Sequence, residues 1–102
     1  MDIVVNGKHF EVTDPIREYA EGKIGKSARF YDRVSSAEVL IEKPDSHTYG
    51  VEVICHVDGH EHVIAHGSNS DLYACVDDTT AKLERQLHDL KEKERNHKHS
   101  AR

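Results

Sequence analysis

Apolar residues recur along the chain with two different periods, and these periods predict its secondary structure. The longest helical pattern covers Ser70 to Arg95, where apolar side chains return at steps of three and four residues. Ser70 can cap the start of this helix, and the carboxylate of Asp71 suits its positive end. The apolar stripe consists of Leu72, Val76, Thr80, Leu83, Leu87 and Leu90. One face of the helix is therefore expected to pack, and the opposite face to carry charge.

A shorter helix is predicted to start at the Thr13-Asp14-Pro15 sequence. Either Thr13 or Asp14 can act as the cap, and Pro15 fits the first helical turn. The apolar positions Ile16, Tyr19, Ala20 and Ile24 follow at helical steps. Lys23, Lys26, Arg29 and Arg33 share an arc of about 120° if the helix extends that far. Phe30 and Tyr31 are expected to close the end of this helix over the core.

Alternation with a period of two predicts strands in the remaining segments. The extended segments are 2–12, 34–43, 49–57 and 62–67. Ala37, Val39 and Ile41 are predicted to form the buried face of the second strand. Asp58-Gly59 is a hairpin signal, and either a two-residue or a four-residue loop fits. Both loops place Ile64 on the same face as Val53 and Cys55.

The resulting order is β-α-β-β-β-α, which predicts an α+β fold. Three hairpin-joined strands and one N-terminal strand can form a four-stranded sheet, with both helices packed on one face. This arrangement resembles the double-stranded-RNA-binding-domain topology, in which shape and phosphate contacts dominate recognition. A chain of 102 residues supports a single domain, predicted over 1–95, and 96–102 is predicted to be a flexible polar tail.

The composition of the chain indicates its location in the cell and the kind of partner that it binds. No run is apolar enough to cross a bilayer, and no apolar leader is present, so the cytoplasm is the expected location. Cys55 and Cys75 lie in apolar stretches without metal-binding spacing and are predicted to be reduced core residues. The net charge is −5, yet residues 23–33 and 82–102 each carry a net +3. Local patches of this kind, rather than the mean charge, determine whether a surface binds phosphate.

Catalytic and metal chemistry find little support in the sequence. No nucleophile elbow and no phosphate-binding glycine loop is present, so the chain is not expected to be an enzyme. His60 and His62 alternate on a predicted strand near His56 and His66, which raises the hypothesis of a metal site. Histidine is also common on solvated hairpins, and Glu61 is the one adjacent carboxylate. No metal and no other cofactor is therefore predicted.

Two blocks of sequence resemble the ribosome hibernation-promoting factor and ribosome-associated inhibitor family. The first contains Val12-Thr13, Ile16-Arg17, Tyr19, Lys23 and Lys26, and the second contains Asp71-Leu72-Tyr73 followed by residues 82–87, KLERQL. The resemblance covers nearly the whole chain. It implies the same β-α-β-β-β-α fold and binding to the small ribosomal subunit, in the cleft where mRNA and tRNA anticodons sit. Occupying that cleft would inhibit translation and preserve idle ribosomes in stationary phase.

The resemblance also suggests which side chains face rRNA. The corresponding positions are Lys23, Lys26 and Arg29 on the first helix, and Lys82, Arg85, Lys91 and Lys93 on the second. On a helical wheel Lys82, Arg85 and Lys93 lie within about 80°, whereas Lys91 falls about 180° from Lys82. This chain departs from the family pattern in its histidine-rich hairpin and in Asp89, where similar proteins usually carry lysine.

The length and the tail distinguish between subtypes of the family. Long forms add a second domain that pairs ribosomes, and the inhibitor type carries an extended acidic tail. The short basic-to-neutral tail here resembles the hibernation-promoting type, which favours inactive ribosome dimers with the help of a separate modulation factor. The chain is expected to be a monomer off the ribosome and to have no membrane partner. The alternative hypothesis is a small RNA-binding or metal-responsive regulator that acts off the ribosome.

Overall fold

A computed structural model describes residues 1–59 and 62–100, with side chains described as far as residue 95. The elements follow the predicted order. They are β1 (Asp2–Lys8), α1 (Asp14–Ala28), β2 (Val34–Asp45), β3 (Thr48–Val57), β4 (Val63–Asn69) and α2 (Leu72–Ser100). The strands form one mixed sheet in the order β1-β2-β3-β4. The predicted β-α-β-β-β-α fold is confirmed.

The parallel direction of the first two strands explains why a helix connects them along the chain. β1 pairs with β2 in parallel, and β2–β3 and β3–β4 pair antiparallel. A parallel pair cannot be joined by a tight turn, so the chain must cross over, and α1 provides that crossover. α1 packs over β1 and β2, while α2 packs over β3 and β4. Both helices therefore cover one face of the sheet and leave the other face open.

The core lies between the sheet and the two helices. Val5, Val39, Val53 and Ala65 pair across the four strands, and each is buried. The predicted inner face of β2 is confirmed, because Ala37, Val39 and Ile41 are buried. On α2, Leu83 and Leu87 are fully buried and Leu90 packs at the margin, so the predicted apolar stripe is also confirmed.

The register of the β3–β4 hairpin corrects one prediction. Ile64 pairs with Ile54 and is exposed, whereas Ala65 pairs with Val53 and is buried. Ile64 therefore lies on the open face, opposite to Val53 and Cys55. The observed register lies one residue from those that a two-residue or four-residue loop produces, and a one-residue shift moves every side chain to the other face. Gly59 adopts a φ of +79°, as a turn residue, and the connection also contains positions 60 and 61, which lie outside the described residues.

The helix ends differ from the predictions in detail. Thr13 occupies the cap position of α1, but its side chain makes no capping hydrogen bond. α1 ends at Ala28, with Arg29 as its C-cap, so the helix does not reach Arg33. Asp71, rather than Ser70, caps α2, because its Oδ2 accepts a hydrogen bond from the Ala74 amide at 2.8 Å.

The C-terminal end of α2 lies beyond the predicted boundary. The helix was expected to end at Arg95, and in the structure its backbone continues to Ser100. The predicted flexibility of the tail is not tested by this observation. Among the described residues, no helix is both long and apolar enough to cross a membrane.

The two aromatic residues that follow the C-terminal end of α1 point in different directions. Tyr31 is buried as predicted, and burial together with the neighbouring Glu94 carboxylate raises its pKa to about 12. Phe30 was expected to close over the core, but 47% of it is exposed. Because α1 ends at Ala28, these two consecutive residues leave the helix in opposite directions. Cys55 and Cys75 are buried free thiols, as predicted.

Candidate nucleic-acid interface

Polar contacts fix the two helices side by side on the sheet. Ser27 Oγ on α1 donates a hydrogen bond to Glu84 Oε2 on α2 at 2.6 Å. Nearer the start of α2, Tyr19 Oη donates to Asp77 Oδ1, also at 2.6 Å. The bond to Asp77 raises the pKa of Tyr19, because the carboxylate accepts the proton of the neutral phenol and so favours that form. These contacts hold the outer surfaces of the helices next to each other.

An open groove of about 530 Å³ runs between the second half of α1 and the middle of α2. Its α1 wall includes Lys26, Ser27 and Phe30, and its α2 wall includes Arg85 and His88. The Ser27–Glu84 hydrogen bond lies within this groove. The groove therefore combines the rings of Phe30 and His88 with cations from both helices.

The three predicted residues on α1 are all exposed but face in different directions. Lys23 Nζ lies 3.4 Å from Asp77 Oδ1 and 5.9 Å from the centroid of the Tyr19 ring. Lys26 lines the groove. Arg29 lies on the side of α1 toward β1, beside Gly25, which packs against Ile3. α1 thus presents a cation toward α2, one at the groove and one on its outer flank.

The predicted residues on α2 are exposed as well, and two of them lie on opposite flanks. Lys82 leans toward β4, where its Nζ donates a hydrogen bond to the carbonyl oxygen of His66 at 3.0 Å. Lys91 leans toward α1, with its Nζ 4.8 Å from the centroid of the Phe30 ring. This agrees with the helical-wheel angle of about 180° between them. Arg85 lies in the groove, so α2 presents cations on both of its flanks and in the groove between the helices.

Most of these cations are not neutralised by the protein itself. Five of the predicted basic residues have no carboxylate within 4.0 Å in the part of the chain that the structure describes. They are Lys26, Arg29, Arg85, Lys91 and Lys93. The Lys23–Asp77 pair is about half exposed, and such surface pairs contribute little and are easily exchanged for another anion. The surface can therefore bind several phosphates without first breaking strong internal ion pairs.

Other basic residues near the surface have structural roles. Arg33, which the sequence placed on the basic arc if α1 reached it, lies 3.7 Å from the Glu94 carboxylate. Arg17 Nη1 donates to the Val5 carbonyl oxygen at 2.7 Å and so ties α1 to β1. Phe30 also lines the groove, although it was predicted to close over the core. The Phe30-Tyr31 pair at the end of a helix does not indicate which of the two rings is buried.

The open face of the sheet has the opposite character. Glu38 and Glu52 lie on this face, together with the histidines of β3 and β4. His56 Nε2 lies 2.7 Å from Glu38 Oε2, and His56 Nδ1 lies 3.0 Å from His62 Nε2. The two contacts use opposite nitrogens of one ring, which is a hydrogen-bonded chain rather than a set of ligands that converge on one point. The cations without a carboxylate within 4.0 Å among the described residues thus lie on the helix layer, and the open face presents carboxylates and histidines.

The histidine hypothesis can be compared with this geometry only in part. Among the described residues, no group of three or more histidine, cysteine, aspartate or glutamate side chains is arranged to hold a metal ion. His60, which formed half of the hypothetical pair, lies outside the described residues.

Comparisons with known proteins agree on one family. Residues 3–95 match the sequence profile of the family described as sigma 54 modulation protein / S30EA ribosomal protein. A protein named ribosome hibernation promoting factor from Azotobacter vinelandii is 38% identical over 96 residues, covering 92% of this chain and 86% of that protein. The protein of the same name from Escherichia coli (strain K12) is 33% identical over 97 residues, covering 95% of this chain and 100% of that protein. A ribosomal subunit interface protein from Coxiella burnetii shares the fold with a TM-score of 0.81 at 24% identity, over 90% of this chain and 99% of that one.

Proposed function

This chain belongs to the sigma 54 modulation protein / S30EA ribosomal protein family, and from that premise we propose that it silences idle ribosomes by binding the small ribosomal subunit. It acts as a non-enzymatic factor whose basic helix surface occupies the cleft that otherwise holds mRNA and tRNA anticodons. Occupation of the cleft blocks translation, and in stationary phase it favours inactive ribosome dimers. A separate ribosome modulation factor assists the pairing of ribosomes, and the chain itself is monomeric before it binds.

One observation carries this proposal: exposed cations from both helices lie in and around the groove between them although the chain is acidic overall. The net charge is −5, yet five of the predicted residues have no carboxylate within 4.0 Å in the described part of the chain. Amine and guanidinium groups on rigid helices neutralise phosphates and release condensed counterions, which supplies much of the affinity for RNA. The names of the relatives refer to ribosome hibernation, which supports the ribosome as the source of that RNA. A ribosome-associated role also implies a cytoplasmic location.

Sedimentation of stationary-phase lysate through a sucrose gradient tests the proposal. The wild-type protein should migrate with small subunits and with ribosome dimers. A Lys82→Glu/Arg85→Glu variant should remain at the top of the gradient, because it reverses two charges on the outer surface of α2. A matched control, Lys8→Glu/Lys43→Glu, makes the same change in net charge within the sheet and should migrate like the wild type. Wild-type protein that remains at the top would overturn ribosome binding and favour a regulator that acts off the ribosome.

The dependence of affinity on salt provides an independent test. If about five phosphates are contacted, the logarithm of the association constant should fall linearly with the logarithm of the salt concentration, with a slope of about −4. Purified small subunits can be titrated with labelled protein at several ionic strengths. A flat response would remove the electrostatic account of binding.

A further inference from the structure

The ring of Phe30 is exposed in a place where burial would be expected. It lies just beyond the end of α1, and 47% of the residue is accessible to solvent. Its neighbour Tyr31 is buried in the core, so the chain here directs one aromatic ring inward and the next one outward. Leaving a phenyl ring in water forgoes the hydrophobic stabilisation that its burial would supply. A single exposed ring is common on protein surfaces, so the groups around this one decide whether it can bind a partner.

The surroundings of the ring are cationic. Lys91 Nζ lies 4.8 Å from the centroid of the Phe30 ring, and Lys26 and Arg85 line the same groove. The ring of His88 lies beside that of Phe30, with 6.0 Å between centroids and planes inclined by 32°. The nearby carboxylate of Glu84 already accepts a hydrogen bond from Ser27. The Phe30 ring thus lies beside Lys91 and a second, tilted ring, in a groove that two further cations line.

This combination matches the two halves of a nucleotide. A nucleobase stacks on an aromatic ring, and the phosphates on either side of it pair with lysine and arginine. We propose that Phe30, flanked by His88, is a stacking site for one unpaired nucleobase of the bound RNA, whose phosphates lie on Lys26, Arg85 and Lys91. This site adds a base contact to the proposed function. The identity of the RNA rests on that function, whereas the chemistry of stacking does not.

The nucleotide at this site must be unpaired. Bases in an A-form duplex are stacked on one another, and the proteins that bind duplex RNA contact its sugars and phosphates instead. Phe30 would contribute little to such a contact. Lys91 currently covers the ring in a solvent-exposed cation–π contact, which is weak enough to exchange for a phosphate. Movement of this one flexible side chain opens the ring face to the base.

A fluorescent substitution tests stacking directly. The chain contains no tryptophan, so Phe30→Trp introduces a single indole at the proposed site. A short single-stranded oligoadenylate, added at low salt, should quench its emission, whereas the duplex of the same strand with oligouridylate should not. The matched control is Tyr73→Trp, because Tyr73 is exposed to a similar extent, 43%, but contacts Tyr19 near the acidic start of α2. Equal quenching at both positions, or none at position 30, would overturn the proposal.

Affinity for purified small subunits tests the same site in its proposed context. Phe30→Leu keeps an apolar side chain but removes the ring, and it should weaken binding roughly 5- to 150-fold, the range found when single stacking residues are removed. The slope of log affinity against log salt should not change, because no charge is removed. Phe30→Tyr should bind like the wild type, and Tyr73→Leu should leave affinity unchanged.

The outcomes separate this inference from the proposed function. Wild-type affinity in a folded Phe30→Leu protein, with its thermal midpoint preserved, would overturn the stacking site and leave ribosome binding intact. Failure of the wild-type protein to bind subunits, together with quenching of Phe30→Trp by single-stranded RNA, would overturn the ribosomal function and retain the stacking site.

Discussion

The close approach of α2 to β4 leads to a prediction in which two identical substitutions have opposite effects. Gly67 is a buried residue of β4, and a Cβ atom there would lie 2.6 Å from Thr79 Oγ1 on α2. Ordinary contact begins at 3.4 Å, so the added methyl group falls 0.8 Å short of the room it needs. Gly22 lies on the exposed side of α1, where a Cβ would meet nothing within 4 Å.

The expected changes in stability depend on whether the atoms around each glycine can move to make room. Thr79 is fully buried, and its Oγ1 donates a hydrogen bond to the Cys75 carbonyl oxygen at 2.8 Å, so rotating it away would leave a buried group unpaired. Gly67→Ala should therefore cost about 1–3 kcal/mol, the usual range for overpacking. Gly22→Ala should stabilise the protein by about 0.5–1 kcal/mol, because alanine loses less backbone freedom in a helix than glycine does.

Thermal unfolding of both variants provides the measurement. In a domain of this size each kcal/mol shifts the midpoint by about 4–8 °C, so the two midpoints should lie clearly on opposite sides of that of the wild type. Thr79→Ala removes the obstructing oxygen. The double variant Gly67→Ala/Thr79→Ala should therefore be more stable than the two single effects predict when they are added. A Gly67→Ala midpoint at or above that of the wild type, or strict additivity in the double variant, would refute the geometry of the β4–α2 contact.

Three further predictions concern the core, the interface and the thiols. Leu87 is fully buried, so Leu87→Ala should cost about 2–5 kcal/mol in chemical unfolding, and an unchanged midpoint would mean that the packing face of α2 is wrongly assigned. Asp89 is exposed, and no cation lies within 4.0 Å of it in the described part of the chain. Asp89→Lys should therefore tighten small-subunit binding and steepen the log–log salt slope by somewhat less than one unit, and equal affinities and slopes would show that this position points away from the RNA. Burial raises the pKa of the Cys55 thiol to about 11, so at pH 8 roughly one thiol in a thousand is ionised and alkylation should be far slower than in urea; equal rates would contradict its burial.

The features that depend on periodicity could be predicted from the sequence, and those that depend on a single residue of register could not. The apolar stripe through Leu83 and Leu87 is long enough that an error of one residue at either end leaves the buried face unchanged. The β3–β4 hairpin has no such tolerance. Its loop length decides which face Ile64 occupies, and the Asp58-Gly59 signal is compatible with several lengths.

The candidate interface follows the same distinction. A helical wheel predicts the basic positions on the outer surface of α2, including the separation of Lys82 from Lys91. Phe30 was placed wrongly because its direction depends on where α1 stops, and the sequence contains no strong stop signal near Ala28. Side-chain contacts between helices, such as Ser27 with Glu84, depend on how two elements pack and carry no local signal at all.

The helix layer carries exposed carboxylates such as Asp77 and Asp89 as well as cations, but the uneven distribution of charge still gives the molecule a dipole component from the sheet toward the groove. The cationic surface lies on the helix layer, and carboxylates such as Glu38 and Glu52 lie on the open face of the sheet. In the field of a polyanion such a molecule experiences a torque, which turns the helices toward the RNA before contact and raises the fraction of productive collisions. If the helices bind RNA as proposed, the carboxylates of the sheet face away from it and disfavour a second RNA strand on that side. The arrangement that would speed binding would therefore also favour one RNA surface at a time.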